Sequence, residues 1–358
     1  METGFWKNRR VLVTGHTGFK GGWLSLWLQS LGAQVFGLAL VPTQRPNLYE
    51  IAGIAQGMTS RILDIRELDA LRAHVKEIKP ECVFHLAAQP LVRVSYADPV
   101  GTFSTNVMGT VNLLEALRPL KSVMSVVVVT SDKCYENREW ERSCRESDPM
   151  GGSDPYSGSK GCAELATSAF IRSFYSAPAL PRIATARAGN VIGGGDWAAD
   201  RLVPDVLRSL SQGVPVTLRY PDAVRPWQHV LEPLSGYLEL AEQLAKGILD
   251  GGEGWNFGPR DSDVCTVLNV VKNLSRHWGS EPSFTVEAVQ QPHEAALLKL
   301  DCSKAAQRLG WNPKLDLDLA LGWTVEWYQS WKRGENMGSF TVRQIREYQD
   351  RLLRQQNG

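Results

Sequence analysis

The chain has 358 residues, 43% of them hydrophobic, so it can bury a sizeable core as one large domain or two closely associated ones. Its 39 Lys and Arg residues nearly balance its 38 Asp and Glu residues, which excludes a strong overall field toward nucleic acid or an anionic membrane. No apolar run reaches the roughly 18 to 20 residues that span a membrane, and a strand-like run begins almost at once, so we expect a cytoplasmic protein.

Apolar runs of strand length alternate with amphipathic segments of helix length along the first half of the chain. This alternation predicts parallel strands joined by helices, and therefore an α/β fold with a Rossmann-type doubly wound parallel sheet. The four clearest strand-like runs span residues 10–14, 35–41, 82–87 and 123–131.

The first strand leads into a glycine-rich turn with the pattern G-x-x-G-x-x-G. Glycine permits unusual backbone angles and lets the main chain approach a pyrophosphate at a helix N-terminus. We therefore predict a dinucleotide cofactor here, with contacts from Gly15, His16, Thr17, Gly18, Phe19, Lys20 and Gly21. The side chains of His16 and Lys20 either contact its phosphates or are solvated. The helix that follows has an apolar face and is expected to end at Gly32, a C-cap residue.

The second strand lacks the acidic residue that usually holds the adenosine ribose of a dinucleotide. Ala39 and Leu40 occupy that position, with Arg45 shortly after, so the usual test between NAD and NADP gives no answer. We expect weak or unusual ribose binding. Asp64 and Ile65 follow the third strand, where they would reach the adenine edge, or Asp64 would instead cap the segment that begins at Arg66.

Tyr156 and Lys160 form a Y-x-x-x-K pair whose spacing places both side chains on one face of a helix. Ser131 precedes them at the end of the fourth strand-like run. A tyrosine has a reference pKa of about 10, so it needs a neighbouring cation to take a proton from an alcohol near pH 7. Lys160 and an oxidised nicotinamide would supply that charge, and Ser131 would hydrogen-bond the same oxygen. The alternative is a surface Tyr-Lys pair on a helix.

After about residue 187 the pattern loosens into loops rich in glycine and proline, which we interpret as a lid over the carboxyl edge of the sheet. The predicted division is a dinucleotide-binding domain over 1–187 and a smaller C-terminal α/β substrate-binding domain over 188–358. Some segments of the second domain are expected to return to the first. The six cysteines form no C-x-x-C pair, which favours reduced thiols, and no metal site is predicted.

Several motifs resemble those of the extended short-chain dehydrogenase/reductase family, over nearly the whole chain, and in particular its nucleotide-sugar enzymes. They are TGHTGFKG, HLAAQP, STNVMGT, TSDKCY, PYSGSK, RAGNVIGGGD, RPWQHV and WNFGP. The resemblance implies NAD as cofactor, with further contacts from Leu86, Ala87, Ala88 and Asn106. It also implies a nucleotide-sugar substrate held by Gln89, Ser131, Asn190, Arg201, Arg225, Arg260 and His293. Arginine forks suit the diphosphate of such a substrate.

The pair Asp132-Lys133 resembles the acid and base that sugar 4,6-dehydratases place after the serine, although that pair is often Asp-Glu. The resemblance implies that Asp132 donates a proton to the departing 6-hydroxyl and that Lys133 takes the proton from carbon 5. A lysine is almost fully protonated in water at pH 7. Our hypothesis is that Lys160 stays charged and the crowded site holds Lys133 neutral; alternatively, Lys133 only orients water or a hydroxyl.

Two other functions compete with dehydration. A 4-epimerase or ketoreductase acting on a nucleotide sugar fits Ser131, Tyr156 and Lys160 but gives Asp132 and Lys133 no role. A dinucleotide-sensing protein without catalysis typically lacks the Tyr-Lys pair. The family resemblance also implies a homodimer or homotetramer, packed through the helices around Asn106 and Tyr156, and deoxysugar biosynthesis for surface polysaccharide.

Overall fold

A computed structural model of the chain describes residues 4–136, 142–177, 180–286 and 298–354. Within these ranges the central feature is a seven-stranded sheet whose strands are all parallel. Its strands are β1 (Arg10–Thr14), β2 (Gln34–Ala39), β3 (Thr59–Ile62), β4 (Cys82–His85), β5 (Ser125–Val129), β6 (Arg182–Arg187) and β7 (Gly254–Asn256). Their order, β7-β6-β5-β4-β1-β2-β3, is doubly wound, so the predicted fold class is confirmed.

Twelve α-helices pack around the sheet in the described part of the chain. They are α1 (Phe19–Ser30), α2 (Leu48–Ile51), α3 (Leu68–Ile78), α4 (Val92–Ala97), α5 (Pro99–Phe103), α6 (Gly109–Leu117), α7 (Pro155–Phe174), α8 (Leu202–Gln212), α9 (Leu231–Ala245), α10 (Val267–Trp278), α11 (Leu317–Lys332) and α12 (Met337–Arg354). A π-helical turn, Ser104–Met108, joins α5 to α6. Short strands pair as Val191–Ile192 with Gln228–His229, Val216–Leu218 with Phe284–Val286, and Val224–Pro226 with Val264–Thr266. None of these helices is long and apolar enough to cross a membrane.

The central strands β4 and β5 are buried on both faces because helices cover both sides of the sheet. In β5, Val127 and Val129 belong to the hydrophobic core on one side, while Val126 and Val128 belong to the core on the other. This alternation follows from the two-residue repeat of a strand, and it explains why β5 has a continuous apolar sequence.

Helix α1 is buried on more than the one face that its sequence predicts. Trp23 and Trp27 are fully buried, and the Trp27 ring packs edge-to-face on Tyr348 of α12 at a centroid distance of 5.7 Å. The helix therefore lies between the sheet and α12. Its end agrees with the prediction, because Gly32 adopts the left-handed conformation (φ +80°) just beyond the last turn.

Segments from the second half of the chain add a strand and helices to the sheet that the first half forms. Strand β7 pairs with β6 at the edge of the sheet, α9 packs against β5 and β6, and α12 packs against α1. Helices α8, α10 and α11 and the short strand pairs lie beyond residue 187, and residues of α8, α10 and the short strands line the second wall of a large cleft. The division at residue 187 stays an interpretation.

Candidate active site

The glycine turn is shaped to receive a dinucleotide. Gly15 has φ +77°, and a Cβ added there would lie 2.8 Å from the backbone nitrogen of Ala87. A Cβ on Gly21 would lie 2.2 Å from the carbonyl oxygen of Gly15, so neither position accepts a side chain without displacement of backbone. Gly18 precedes α1 and supplies no side-chain cap, which leaves the amides of the first helical turn for an anion. The residues present therefore fit a dinucleotide diphosphate.

His16 was expected to contact the cofactor, but its side chain does not line the cleft. The imidazole is fully buried, with its Nε2 atom 2.7 Å from Ser60 Oγ, and it packs against Gly37, where a Cβ would lie 2.5 Å from the ring. Burial lowers the pKa of His16 to about 4, so the ring is neutral near pH 7. His16 therefore supports β2 from beneath the turn and adds no charge to the cleft.

The edge expected to hold the adenosine has an apolar rim and one carboxylate. Leu40 follows β2 and is 53% exposed, and its carbonyl accepts a hydrogen bond from the Thr17 hydroxyl at 2.9 Å. Asp64 lines the cleft and accepts from the Arg66 backbone N–H (2.9 Å) and guanidinium, and these bonds lower the pKa of Asp64. The Asp64 side chain closes the turn before α3, whose N-cap position is taken by Glu67. Asp64 is therefore not the N-cap of α3; its side chain makes a turn contact three residues before that position.

Helix α7 carries Tyr156 and Lys160 on its buried face. The helix begins where the sequence supplies an N-cap, because Asp154 accepts a hydrogen bond from the Ser157 N–H at 3.0 Å and Pro155 occupies the first helical position. The Lys160 ammonium donates to the carbonyl oxygen of Val129, the last residue of β5, at 3.3 Å.

A buried ion pair fixes α7 against the sheet. Glu164 is one turn beyond Lys160 on α7, and its two oxygens accept from Nε (2.9 Å) and Nη2 (2.8 Å) of Arg187 at the end of β6. The same carboxylate accepts from the hydroxyls of Thr130 and Thr185. Because Thr130 directly precedes Ser131, this network holds the chain at Ser131 next to the helix that carries Tyr156 and Lys160.

Ser131, Asp132 and Lys133 form a tight turn at the carboxyl end of β5. The Ser131 hydroxyl donates to Asp132 Oδ1 at 2.8 Å, and the same oxygen accepts from the Lys133 N–H at 3.0 Å. Asp132 is buried, and its other carboxylate oxygen faces Gly189, where an added Cβ would lie 1.9 Å away. The turn therefore holds the Asp132 carboxyl in one orientation, with its Oδ2 side next to a bare backbone.

The ionisable groups of the site show the effects of burial. Burial raises the pKa of Tyr156 to about 12, although a hydrogen bond with Ser131 and the charge of Arg201 act in the opposite direction. Burial lowers the pKa of Lys160 to about 8. Burial and the charges of Lys160 and Arg201 lower the pKa of Lys20 to about 7. The expected lowering of the Tyr156 pKa by Lys160 is not present in the protein alone.

A single cavity of about 1010 Å³ joins the glycine turn to the catalytic turn and to the second half of the chain. Most of the predicted site residues line it. They are Gly15, Thr17, Gly18, Phe19, Lys20, Gly21, Asp64, Ile65, Leu86, Ala87, Ala88, Ser131, Asp132, Lys133, Tyr156, Lys160, Asn190, Arg201 and Arg225. A nucleotide sugar and a dinucleotide need such a shared, elongated cleft.

A sequence profile of the GDP-mannose 4,6 dehydratase family matches residues 12–321. The chain belongs to this family. It is 52% identical to CDP-glucose 4,6-dehydratase of Salmonella typhimurium over 99% of this chain and 100% of that protein. Among solved structures it resembles the UDP-glucose 4-epimerase of Thermus thermophilus in complex with NAD (26% identity, TM-score 0.76, 88% of this chain and 98% of that one). It also resembles the dTDP-glucose 4,6-dehydratase of Bacillus anthracis in complex with NAD (22% identity, TM-score 0.75, 90% and 97%).

Three residues expected to bind ligand in this dehydratase-family chain instead hold the protein together. Asn106, in the π-helical turn, is buried and bonds through its amide to Gln89 and to Ser159 Oγ, while the Gln89 amide donates to Thr102. Arg260 donates to the carbonyl oxygen of Pro313 at 2.9 Å. None of the three lines the cavity. Asn106 and Gln89 position the loop after β4, and His293 lies outside the described residues.

Sequence reasoning named Arg201 but missed the four charged residues clustered around it in the cavity. Asp196 is buried and accepts a hydrogen bond from Arg201 at 2.8 Å, while Asp200 pairs with both Arg93 and Arg219. All five residues line the cavity. Asp196 is the last residue of the glycine-rich GNVIGGGD segment and Asp200 follows it closely, but Arg93 and Arg219 are too distant in sequence for any spacing rule to connect them.

Proposed function

We propose that the chain is an NAD-dependent hydro-lyase that converts CDP-glucose to CDP-4-keto-6-deoxyglucose with loss of water. The observation that carries this proposal is the turn Ser131-Asp132-Lys133, which shares one cavity with Tyr156 and Lys160. An epimerase needs only the hydroxyls of Ser131 and Tyr156 together with Lys160. Dehydration also needs an acid and a base for the loss of water. The 52% identity to a CDP-glucose 4,6-dehydratase supports both the reaction and the cytidine nucleotide.

The residues around the glycine turn are those that would hold NAD. Gly15, Gly18 and Gly21 leave room for its diphosphate, and Lys20 adds a positive charge at the same place. Two of the solved relatives contain NAD, which supports this choice of cofactor. When bound, the nicotinamide supplies an acceptor for the hydride of carbon 4 and a donor of that hydride to carbon 6, so no net oxidation results.

Tyr156 and Ser131 serve the first chemical step. The deprotonated oxygen of Tyr156 takes the proton of the sugar 4-hydroxyl and becomes a hydroxyl, and Ser131 hydrogen-bonds the same sugar oxygen. With a pKa of about 12 in the protein alone, Tyr156 needs added positive charge to act as a base near pH 7. Lys160 has a pKa of about 8, so roughly nine in ten of these side chains are protonated at pH 7. Together with the charge of the oxidised cofactor, Lys160 provides that activation.

Asp132 and Lys133 serve the elimination that follows. A ketone at carbon 4 makes the proton on carbon 5 acidic; Lys133 takes this proton while Asp132 gives a proton to the departing 6-hydroxyl, which leaves as water. Asp132 Oδ1 already accepts hydrogen bonds from Ser131 and from the Lys133 backbone, so the transferable proton belongs on Oδ2. For this step Lys133 acts as a neutral amine, as the hypothesis for this crowded site requires.

Product mass separates dehydration from epimerisation. Purified protein is incubated with NAD and, separately, with CDP-glucose, dTDP-glucose, UDP-glucose and GDP-mannose. We expect CDP-glucose alone to lose one water, without accumulation of NADH absorbance. An unchanged mass with a new stereoisomer would identify a 4-epimerase and leave Asp132 and Lys133 without a catalytic role, whereas net NADH formation would identify an oxidoreductase.

The enzyme also assembles with further copies of the same chain. The helical run Pro99–Leu117 and helix α7 expose apolar side chains that a lone chain would leave in water. They are Val100 (78% exposed), Phe103, Met108, Leu165 and Phe174. Packing these helices against those of a second copy buries this surface as a four-helix interface, the basis of a homodimer or of a homotetramer built from dimers. We place the enzyme in the cytoplasm, in deoxysugar synthesis for the lipopolysaccharide O-antigen.

A further inference from the structure

The buried carboxylate of Glu164 is bound by two threonines in equivalent ways. Its Oε1 atom accepts from the Thr130 hydroxyl and from Arg187 Nε (2.9 Å). Its Oε2 atom accepts from the Thr185 hydroxyl (2.6 Å) and from Arg187 Nη2 (2.8 Å). Thr130 and Thr185 are each 5% exposed. Each threonine therefore supplies one buried hydroxyl to one oxygen of the same carboxylate.

The Glu164 carboxylate is a fixed point in the core. Burial acts to raise the pKa of Glu164, but the hydrogen bonds and charge of Arg187, together with the bonds from the two threonines, lower it below its ordinary value. Glu164 is therefore ionised near pH 7 and can only accept, so both threonine hydroxyls donate. The Arg187 fork binds both carboxylate oxygens, and its Nη1 atom donates to the Tyr135 hydroxyl at 2.6 Å. Neither partner of the ion pair is free to turn.

The two threonines differ in the part of the chain that they hold. Thr185 lies within β6, where the strand pairs with β5 on one side and with β7 on the other. Thr130 is the first residue after β5, and Ser131 begins a turn that lies outside the sheet. The hydroxyl of Thr130 therefore ties the start of that turn to α7, whereas the hydroxyl of Thr185 ties α7 to a strand that the sheet already fixes.

A second contact between the end of β5 and α7 is weaker. The Lys160 ammonium donates to the Val129 carbonyl oxygen at 3.3 Å, through a flexible four-carbon side chain. A threonine is β-branched and has restricted rotation about its first side-chain bond, so it transmits position more firmly. Ser131 on the turn and Tyr156 on α7 are near enough to hydrogen-bond each other. Their separation depends on how firmly the turn is held to the helix.

We infer that Thr130 is a positioning residue for the proposed reaction. Its hydrogen bond to Glu164 holds Ser131 and Tyr156 at the separation at which both reach the sugar 4-oxygen, and it thereby supports the removal of hydride from carbon 4. The Thr130 hydroxyl is committed to the carboxylate and does not bind the substrate. The inference rests on the proposed function for the identity of the reacting oxygen.

Substitutions of the two threonines give a matched comparison. T130V and T185V each remove one hydroxyl donor from the same carboxylate without changing side-chain shape, so they should lower Tm to a similar extent. T130A removes the same donor without placing a methyl group against the carboxylate and should behave as T130V. T130S keeps the donor and tests for rescue. Glu164 itself is less informative, because its removal would leave the buried guanidinium of Arg187 unpaired.

The rate of transient NADH formation with CDP-glucose reports hydride removal. At saturating CDP-glucose we expect T130V to be about 10- to 100-fold slower than the wild type, because a displacement of about 1 Å costs up to about 100-fold, with an unchanged half-saturating concentration. T185V and T130S should stay within about threefold of the wild type, since both keep the tie at Thr130. Equal slowing in T130V and T185V would assign the effect to the ion pair as a whole and overturn the inference. So would a raised half-saturating concentration at an unchanged maximal rate in T130V, which would mean that Thr130 binds substrate.

Hydrogen–deuterium exchange keeps this inference separate from the proposed function, because it needs no reaction. Amide exchange over residues 130–135 is followed by mass spectrometry in the free wild type, T130V and T185V. We expect exchange there to be at least about tenfold faster in T130V and unchanged in T185V; unchanged exchange in T130V would overturn the inference. Faster exchange in T130V, with a wild type that does not dehydrate CDP-glucose, would refute the reaction and retain the role of Thr130 in holding the turn. A wild type that dehydrates CDP-glucose, with T130V equally fast, would retain the reaction and refute the inference.

Discussion

Substitution of Gly189 by alanine should block elimination while leaving the oxidation of carbon 4 intact. Gly189 lies just beyond β6, and its backbone is not in the left-handed region, so alanine is permitted there except for its Cβ. That Cβ would stand 1.9 Å from Asp132 Oδ2 and 2.2 Å from Cγ, whereas an ordinary contact is about 3.4 to 4 Å. The buried carboxyl must therefore move by more than an ångström.

Such a displacement breaks the hydrogen bonds that Asp132 Oδ1 accepts from Ser131 and Lys133, at 2.8 and 3.0 Å. The proton donor is then no longer aimed at the departing hydroxyl. Loss of a general acid costs about 100- to 10,000-fold in rate. Overpacking of the buried site costs a further ~1–3 kcal/mol of stability, which leaves a folded protein.

The assay for G189A is a single turnover with CDP-glucose, followed by NADH absorbance and by product mass. We expect NADH to form and persist, with product appearing at least 100-fold more slowly than in the wild type. D132N should give the same result, persistent NADH with slow product formation. G158A is the matched control, because the added Cβ on α7 would lie 3.6 Å from Phe103, an ordinary contact. Product formation by G189A at the wild-type rate would refute the geometry assigned to Asp132. Loss of NADH formation would show that the substitution had also damaged the oxidation step.

Three other variants test separate parts of the molecule. K133M should still form NADH but should not incorporate solvent deuterium at carbon 5; wild-type exchange would remove Lys133 as the base. Burial raises the pKa of Glu232 to about 7, and its carboxylate accepts from Tyr348 at 2.7 Å. Between about pH 4.5, the ordinary pKa of a glutamate, and about pH 7 the folded carboxyl holds a proton that the unfolded chain releases, so stability falls as pH rises across this range and levels off above it. In E232Q the fall in Tm between pH 5 and pH 7 should flatten, and an unchanged slope would contradict the assignment. V100E should convert the oligomer to a monomer, as measured by light scattering; an unchanged mass would place the interface elsewhere.

Local patterns in the sequence predicted much of the fold, and their errors have a physical cause. The run 10–14 matches β1, but the run 123–131 is longer than β5 (Ser125–Val129) at both ends. Val123, Thr130 and Ser131 in these extra segments are buried without belonging to the strand, because a buried position need not pair in the sheet. At β2 the apolar run continues to Val41, which is 61% exposed but lines the cofactor end of the cavity.

The features of the candidate site fall into two groups: those set by spacing within one element of the sequence and those set by contacts between distant elements. The glycine turn and the Tyr156-Lys160 pair are defined by spacing within one element, and the chain brings them to one cavity. The contacts of His16 with Ser60, of Arg260 with Pro313 and of Asp132 with Gly189 depend on how distant elements pack. A motif identifies the backbone position of a residue, but only tertiary structure determines where its side chain points.

The distribution of charge explains how a nearly neutral protein handles two anionic ligands. The formal net charge of the chain is only +1, yet Lys160 and Arg201 lie close enough to Lys20 for their charges to lower its pKa. Burial and mutual repulsion lower the pKa of Lys20 to about 7 and, by burial, that of Lys160 to about 8, so the cluster is under electrostatic strain before any ligand binds. A diphosphate beside these groups opposes both effects and favours their protonated forms. The cations that repel one another in the empty cleft therefore direct binding energy toward diphosphates, and a bound diphosphate also keeps Lys160, the group that activates Tyr156, in its charged form.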